Sequence, residues 1–113
     1  MKSIIAFIKP HKLADVTTAL HEIEGLSGAS ISEVRGFGRG RAKTAPDKIY
    51  YDTLDYVPRV RIEIACSEEL VEKVVSAIES SAHTGLRGDG KIYVTPIEQA
   101  VRISTGERGK IGL

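Results

Sequence analysis

The chain has 113 residues, of which 42% are hydrophobic and 27% charged, with a formal net charge of +1. That composition suits one globular domain over residues 1–113 and excludes a disordered polypeptide. The near-neutral balance gives no reason to expect a general attraction to nucleic acid or to membranes, although local basic clusters could still act.

Four tyrosines, two phenylalanines and no tryptophan leave few rings on which single-stranded bases could stack. Nucleic acid is therefore not an expected partner. A lone cysteine, Cys66, excludes an intrachain disulfide. The apolar run in MKSIIAFIKP is about five residues, too short for a signal-peptide core or a membrane span. A cytoplasmic location is expected.

Ser3 to Lys9 is apolar and β-branched and closes at Pro10, which predicts a strand. Lys12 to Glu24 places Leu13, Val16, Leu20 and Ile23 at helical spacing. Gly25 and Gly28 mark the helix exit. Ala29 to Gly36 reads as a second strand centred on Ile31. From Phe37 to Val57 no period is visible over about twenty residues, a length usual for a functional or disordered loop. Its charge changes sign, from Arg39, Arg41, Lys43 and Lys48 to Asp52 and Asp55, with Tyr50, Tyr51 and Tyr56 between and beside them. A solvated hairpin extension and a partner-touching arm both fit.

The second half repeats the order. Arg59 to Cys66 alternates, with Val60, Ile62 and Ile64 on one face and Arg61 and Glu63 on the other. Ser67 is the expected N-cap of a second helix, followed by Glu68 and Glu69 in its first turn. Val71, Val74, Val75 and Ile78 form its apolar stripe, and Lys91 to Thr95 forms a fourth strand stopped by Pro96. Two β-α-β halves predict an α+β, ferredoxin-like domain: a four-stranded antiparallel sheet with two helices on one face. The other face needs cover, and association of subunits supplies it.

Three stretches carry candidate chemistry. In Thr84-Gly85-Leu86-Arg87-Gly88-Asp89-Gly90-Lys91, the glycines allow backbone N–H groups to converge and Lys91 adds a cation, which is what a phosphate needs. It is not a Walker A loop, because its spacing differs and a strand follows. An ordinary glycine-rich turn is the alternative. Gly36-Phe37-Gly38-Arg39-Gly40-Arg41 matches the dinucleotide fingerprint in letters only, since no helix follows; it offers either phosphate donors or a hinge. Arg102 in Arg102-Ile103-Ser104-Thr105-Gly106-Glu107 can bind a phosphate bidentately. No catalytic constellation and no dedicated metal site is visible: His11, His21 and His83 are scattered, and Cys66 belongs on an apolar face.

Taken in order, these stretches resemble the PII signal-transduction family. The resemblance runs from Ile8-Lys9-Pro10 through Glu33 to Arg39 and Pro58 to Glu63, then Thr84 to Ile92 and Arg102 to Glu107. It implies a homotrimer with ATP or ADP in clefts between neighbours, AMP being a further candidate and magnesium a companion of ATP. By motif position it assigns phosphate contacts to Gly88, Asp89, Gly90, Lys91 and Arg102, within a B-loop at 84–91 that begins at Thr84. Gly36, Phe37, Gly38 and Arg39 would flank the nucleotide, and Ser30, Glu63 and Ala65 would line base and ribose. The T-loop, about 37–57, would dock on a membrane transporter or metabolic enzyme, with Arg41, Lys43, Lys48, Tyr50 and Tyr51 as contact residues. A C-terminal loop would span 102–107.

The departures shape the expected role. Typical members carry glutamine where this chain has Gly40, and that glutamine helps hold magnesium with ATP and 2-oxoglutarate. Glycine has no side-chain oxygen, so 2-oxoglutarate is expected to bind weakly or not at all. Arg59 replaces a lysine, Ser104 replaces a second arginine, and Asp52 falls at the tyrosine that some members have uridylylated. The expected protein is a non-enzymatic adenine-nucleotide sensor reporting through its T-loop. A conventional nitrogen regulator of an ammonium channel or nitrogen-assimilation enzyme is the alternative. A weak nucleotide hydrolase would need oxygen ligands near the phosphates, where Asp89 and Glu63 are the obvious ones.

Overall fold

The structure is a computed structural model and describes residues 1–38 and 56–113. Strand β1 (Lys2–Ile8) leads through a 3-10 turn at Pro10–Lys12 into helix α1 (Leu13–His21), and strand β2 (Ser30–Gly36) follows. Strand β3 (Val57–Cys66), a 3-10 turn at Glu68–Leu70, helix α2 (Val71–Ala82) and strand β4 (Gly90–Pro96) complete the repeat. A last 3-10 turn occupies Gly109–Gly112. The sheet order is β2-β3-β1-β4, and each neighbouring pair is antiparallel. This is the ferredoxin-like arrangement that the two halves predict. Among the described residues, no helix is long and apolar enough to cross a membrane.

Period two decides which strand residues enter the core. Ile4, Ala6 and Ile8 of β1 and Val60, Ile62, Ile64 and Cys66 of β3 are buried against the helices. Val16 and Leu20 of α1 and Val74, Ile78 and Ala82 of α2 meet them from the other side. Among the described residues no polar or charged side chain is buried. Apolar burial therefore carries this core without internal ion pairs. Burial also pushes the Cys66 thiol pKa up, as expected for an inert core cysteine.

The opposite sheet face is open. The registers put Phe7 beside Arg61 and Lys91, and Ile5 beside Glu63 and Tyr93. Phe7 and Tyr93 pack edge to face with ring centroids 6.3 Å apart, and Tyr93 stays half exposed. Arg61 Nη1 donates to Glu63 Oε1 at 2.9 Å on this same face.

Two local expectations are corrected. Helix α1 ends at His21, not Glu24. The Ile23 amide still bonds back to the Leu20 carbonyl and Ile23 packs on the core, so the apolar stripe outlasts the helix. Ser67 makes no side-chain cap; its backbone carbonyl instead accepts from Leu70, opening a 3-10 turn before α2. Isoleucine 78 has no solvent exposure and lies between helix and sheet. Replacing it, Ile78→Ala, is expected to cost about 2–5 kcal/mol in urea unfolding at fixed protein concentration. Glu79→Ala, one residue along on the solvent side, should stay within about 0.5 kcal/mol.

Candidate functional site

The 84–91 loop joins the end of α2 to the start of β4, and its shape is set by one carboxylate. Asp89 Oδ2 accepts from the Thr84 amide at 2.8 Å, and Asp89 Oδ1 accepts from the Thr84 hydroxyl. The Thr84 hydroxyl in turn accepts from the Leu86 amide at 3.1 Å and from Lys9 Nζ at 3.2 Å. Lys9 Nζ also lies 3.2 Å from Asp89 Oδ1, and His83 Nδ1 lies 3.3 Å from Oδ2. The hydrogen bonds from Thr84, then the Lys9 ammonium, hold the Asp89 carboxyl far below the usual carboxylate range. His83, which looked isolated in the sequence, is thus a neighbour of a site carboxylate.

Two of the loop glycines are required by geometry. Gly90 has φ +112°, and a Cβ there would lie 1.7 Å from the Phe7 carbonyl oxygen. The position pairs with Ile8 at the end of β1, so the absence of a side chain lets β4 close on β1. Gly88 has φ +79°, and a Cβ would stand 3.1 Å from Arg59 Nη2 and 3.9 Å from Lys9 Cε. Gly88 therefore sits beside two cationic side chains from β3 and the end of β1. Lys91 continues into β4, exposed, on the strand position opposite Phe7.

The other expected site residues fall into three places. Ser30 is directly opposite Glu63 in the β2–β3 register, and Ala65 follows Glu63 by two residues on the same open face. Gly36 closes β2 opposite Val57, and beyond it Phe37 packs edge to face on Tyr56 with centroids 5.3 Å apart. Gly38 is the last residue described on this side of the 39–55 segment. Arg39, Gly40, Arg41, Lys43, Lys48, Tyr50, Tyr51 and Asp52 lie outside the described residues.

Arg102 is held within the C-terminal segment rather than at the loop. Its Nη2 donates to the Leu113 carbonyl at 2.5 Å and its Nε is 3.8 Å from Glu107 Oε1. That turn is closed by the Arg102 amide on the Glu107 carbonyl at 2.8 Å and by the Val101–Arg108 bridge. Lys110 then ties the segment to α2's approach through Glu69, at 3.0 and 3.2 Å. The Glu69 carboxyl, hydrogen-bonded first by its own backbone amide and then by Lys110, is lowered to about 2. Among the described residues no cluster of three His, Cys, Asp or Glu is arranged to hold a metal ion.

Sequence reasoning missed Lys9 as a member of this site and saw Arg59 only through the resemblance. The available signal was topological: a ferredoxin-like sheet pairs the end of β1 with the start of β4. The assembled features are a glycine turn with clamped backbone, two cationic side chains beside it (Lys9 and Arg59), Lys91 next along the chain, and a carboxylate turned onto Thr84. Such a turn can receive an anion with its N–H groups and surrounding positive charge.

Gly90→Ala should sharply lower the melting temperature and the soluble yield, because the added methyl collides with backbone. Gly88→Ala, which meets only side-chain ends and a strained φ, should cost less, about 1–2 kcal/mol by denaturant unfolding. The Asp89 clamp also has a signed pH dependence. Its folded pKa is depressed, so its stabilisation is present above the unfolded value near 4 and is lost as pH falls through the folded one. The stability gap between the native chain and Asp89→Asn should therefore be widest near neutral pH and shrink below about pH 4, measured by denaturant unfolding across pH.

The family model described as "Nitrogen regulatory protein P-II" matches residues 1–107. A protein named Nitrogen regulatory protein P-II from Azospirillum brasilense is 48% identical over 109 residues, covering 96% of each chain. Its namesake in Rhodospirillum rubrum is 49% identical with the same coverage, and that of Haemophilus influenzae 46% identical over 97% of each chain. With the ferredoxin-like sheet and the glycine loop at the matched positions, the chain belongs to the nitrogen regulatory P-II family.

Proposed function

We propose that the protein is a regulator of nitrogen metabolism that binds an adenine nucleotide at the 84–91 loop and acts without catalysis. The observation that carries this is the preformed loop. Its glycines are already in left-handed turns and its backbone is clamped by Asp89, with Lys9 and Arg59 alongside. A site ordered before binding loses little entropy when the ligand arrives. Gly88, Gly90 and Lys91 are the proposed phosphate contacts, with Asp89 acting from inside the turn.

The open sheet face, with Ile5, Phe7 and Tyr93 uncovered by any helix among the described residues, supports a homotrimer. In that assembly the nucleotide lies between neighbours. Ser30, Glu63 and Ala65 line base and ribose, Gly36 to Arg39 flank the phosphates, and Arg102 meets them from the C-terminal turn. ATP and ADP are the leading ligands and AMP a third, with magnesium accompanying ATP. The segment 37–57, including Arg41, Lys43, Lys48, Tyr50 and Tyr51, carries the signal to a membrane transporter or a metabolic enzyme.

A second reading has its own support: the shared name of relatives at 46–49% identity favours a conventional nitrogen regulator, which by the family resemblance would answer to 2-oxoglutarate as well. Gly40 argues against it, since a glycine supplies no side-chain oxygen to magnesium. One calorimetry series separates the two. ATP and ADP should bind the native chain; no heat from ATP, ADP or AMP at millimolar levels would overturn the nucleotide assignment. With ATP and magnesium present, 2-oxoglutarate should bind weakly or not at all to the native chain and measurably better to Gly40→Gln. Tight 2-oxoglutarate binding by the native chain would establish the conventional regulator.

A further inference from the structure

A carboxylate inside a loop that is to hold a polyphosphate is an electrostatic difficulty. Asp89 lies between Gly88 and Gly90, two positions with left-handed backbone in the proposed phosphate loop. It stays ionised at any physiological pH, because Thr84 and Lys9 hold its proton off. A bare carboxylate there would repel a bound anion, and more strongly for each added phosphate charge.

The structure contains the answer to this difficulty. Lys9 stands at the end of the central strand β1, its side chain 14% exposed, with Nζ 3.2 Å from Asp89 Oδ1 and 3.2 Å from Thr84 Oγ1. Asp89 itself is 24% exposed. An ion pair this shielded from water is screened less than a surface pair. Lys9 also approaches the loop from beneath: its Cε is 3.9 Å from where a side chain on Gly88 would begin.

We propose that Lys9 is a positioning residue for the phosphate site: it neutralises Asp89 and fixes the Thr84–Asp89 clamp, so that the loop presents N–H groups and no net negative charge to the ligand. Lys9 acts through Asp89 and Thr84. It contributes to affinity without being a phosphate ligand itself, and its effect grows with the number of phosphates. The inference rests on the nucleotide reading for its binding arm, while its structural arm stands on the unliganded protein.

The test uses Lys9→Met, Lys9→Arg and the double variant Lys9→Met/Asp89→Asn in the full chain. In Lys9→Met the exposed Asp89 charge should weaken ATP on the order of fivefold or more, ADP less and AMP least. Lys9→Arg should recover most of the loss. Removing the charge as well, in the double variant, should level the losses for ATP, ADP and AMP, because the charge that Lys9 offset is gone and only the weakened Thr84 clamp remains. In the unliganded protein, hydrogen exchange at the Thr84 amide should accelerate in Lys9→Met and return towards the native rate in Lys9→Arg. Equal losses for ATP, ADP and AMP in Lys9→Met would overturn the proposal, since they indicate general loosening. A double variant that still loses ATP more than AMP would overturn it too, since Lys9 would then be a direct phosphate ligand. If the native chain binds no nucleotide, the binding assignment fails separately, and Thr84 exchange decides: an unchanged rate in Lys9→Met overturns the role of Lys9.

Discussion

Strand β1 is hydrogen-bonded on both sides, and its register sets where everything else lies. Ile8 stands opposite Val60 on β3 and opposite Gly90 on β4. A slip of one residue would turn Phe7 into the core and Ile8 out of it, so burial of Ile4, Ala6 and Ile8 holds the register firmly. That register brings three chain segments to one end of the sheet: Lys9 leaving β1, Arg59 near the start of β3, and the glycine loop entering β4. The loop's cationic surroundings are therefore a consequence of core packing. Close approach at Gly90, where only a hydrogen fits beneath the Phe7 carbonyl, belongs to the same constraint.

What the sequence made legible follows from the length scale of each signal. The alternation in β3 shows directly which residues enter the core, and the structure keeps Val60, Ile62 and Ile64 inside. The stripes of both helices read equally well, because a period of 3.6 is local. Their ends did not. Ile23 prolongs the apolar stripe of α1 although the backbone has left the helix, since periodicity reports a face and not a hydrogen bond. Ser67 has the chemistry of a cap, but the tight turn at Glu68–Leu70 uses its carbonyl instead. At the site, the glycines announced left-handed turns, whereas the Lys9–Thr84 contact joins residues 75 apart in the chain. No window of sequence contains such a pair; only the strand order does.

The site divides into a stiff part and an open part. The stiff part is the loop, where the Thr84 and Leu86 amides and the Thr84 hydroxyl are already paired before any ligand is present. The open part is the bare sheet face, where Ser30, Glu63 and Ala65 are exposed. A preformed anion cradle recognises a feature common to all nucleoside polyphosphates. Discrimination of the base must come from surfaces that the single chain leaves open, and subunit association would complete them. In the proposed trimer a neighbour would supply the wall that the single chain leaves open.

How such a site could report on its ligand follows from connectivity. Arg59, beside Gly88, is three residues after Tyr56, and Tyr56 packs on Phe37 across the root of the 39–55 segment. The edge-to-face pair joins the two ends of that segment, and such contacts are worth about 0.5–1.5 kcal/mol beyond the area they bury. A change at the root on that scale shifts a two-state balance by several-fold. A ligand shifts such a balance only by its difference in affinity for the two states. On the proposed reading, contacts that ATP and ADP share would therefore hold the ligand without distinguishing the two. Only groups reached by the last phosphate would then carry the message, and Arg59, beside Gly88 and three residues from Tyr56, is one described candidate. On that reading the clamp at Asp89 would make the loop a fixed reference against which one further phosphate pulls.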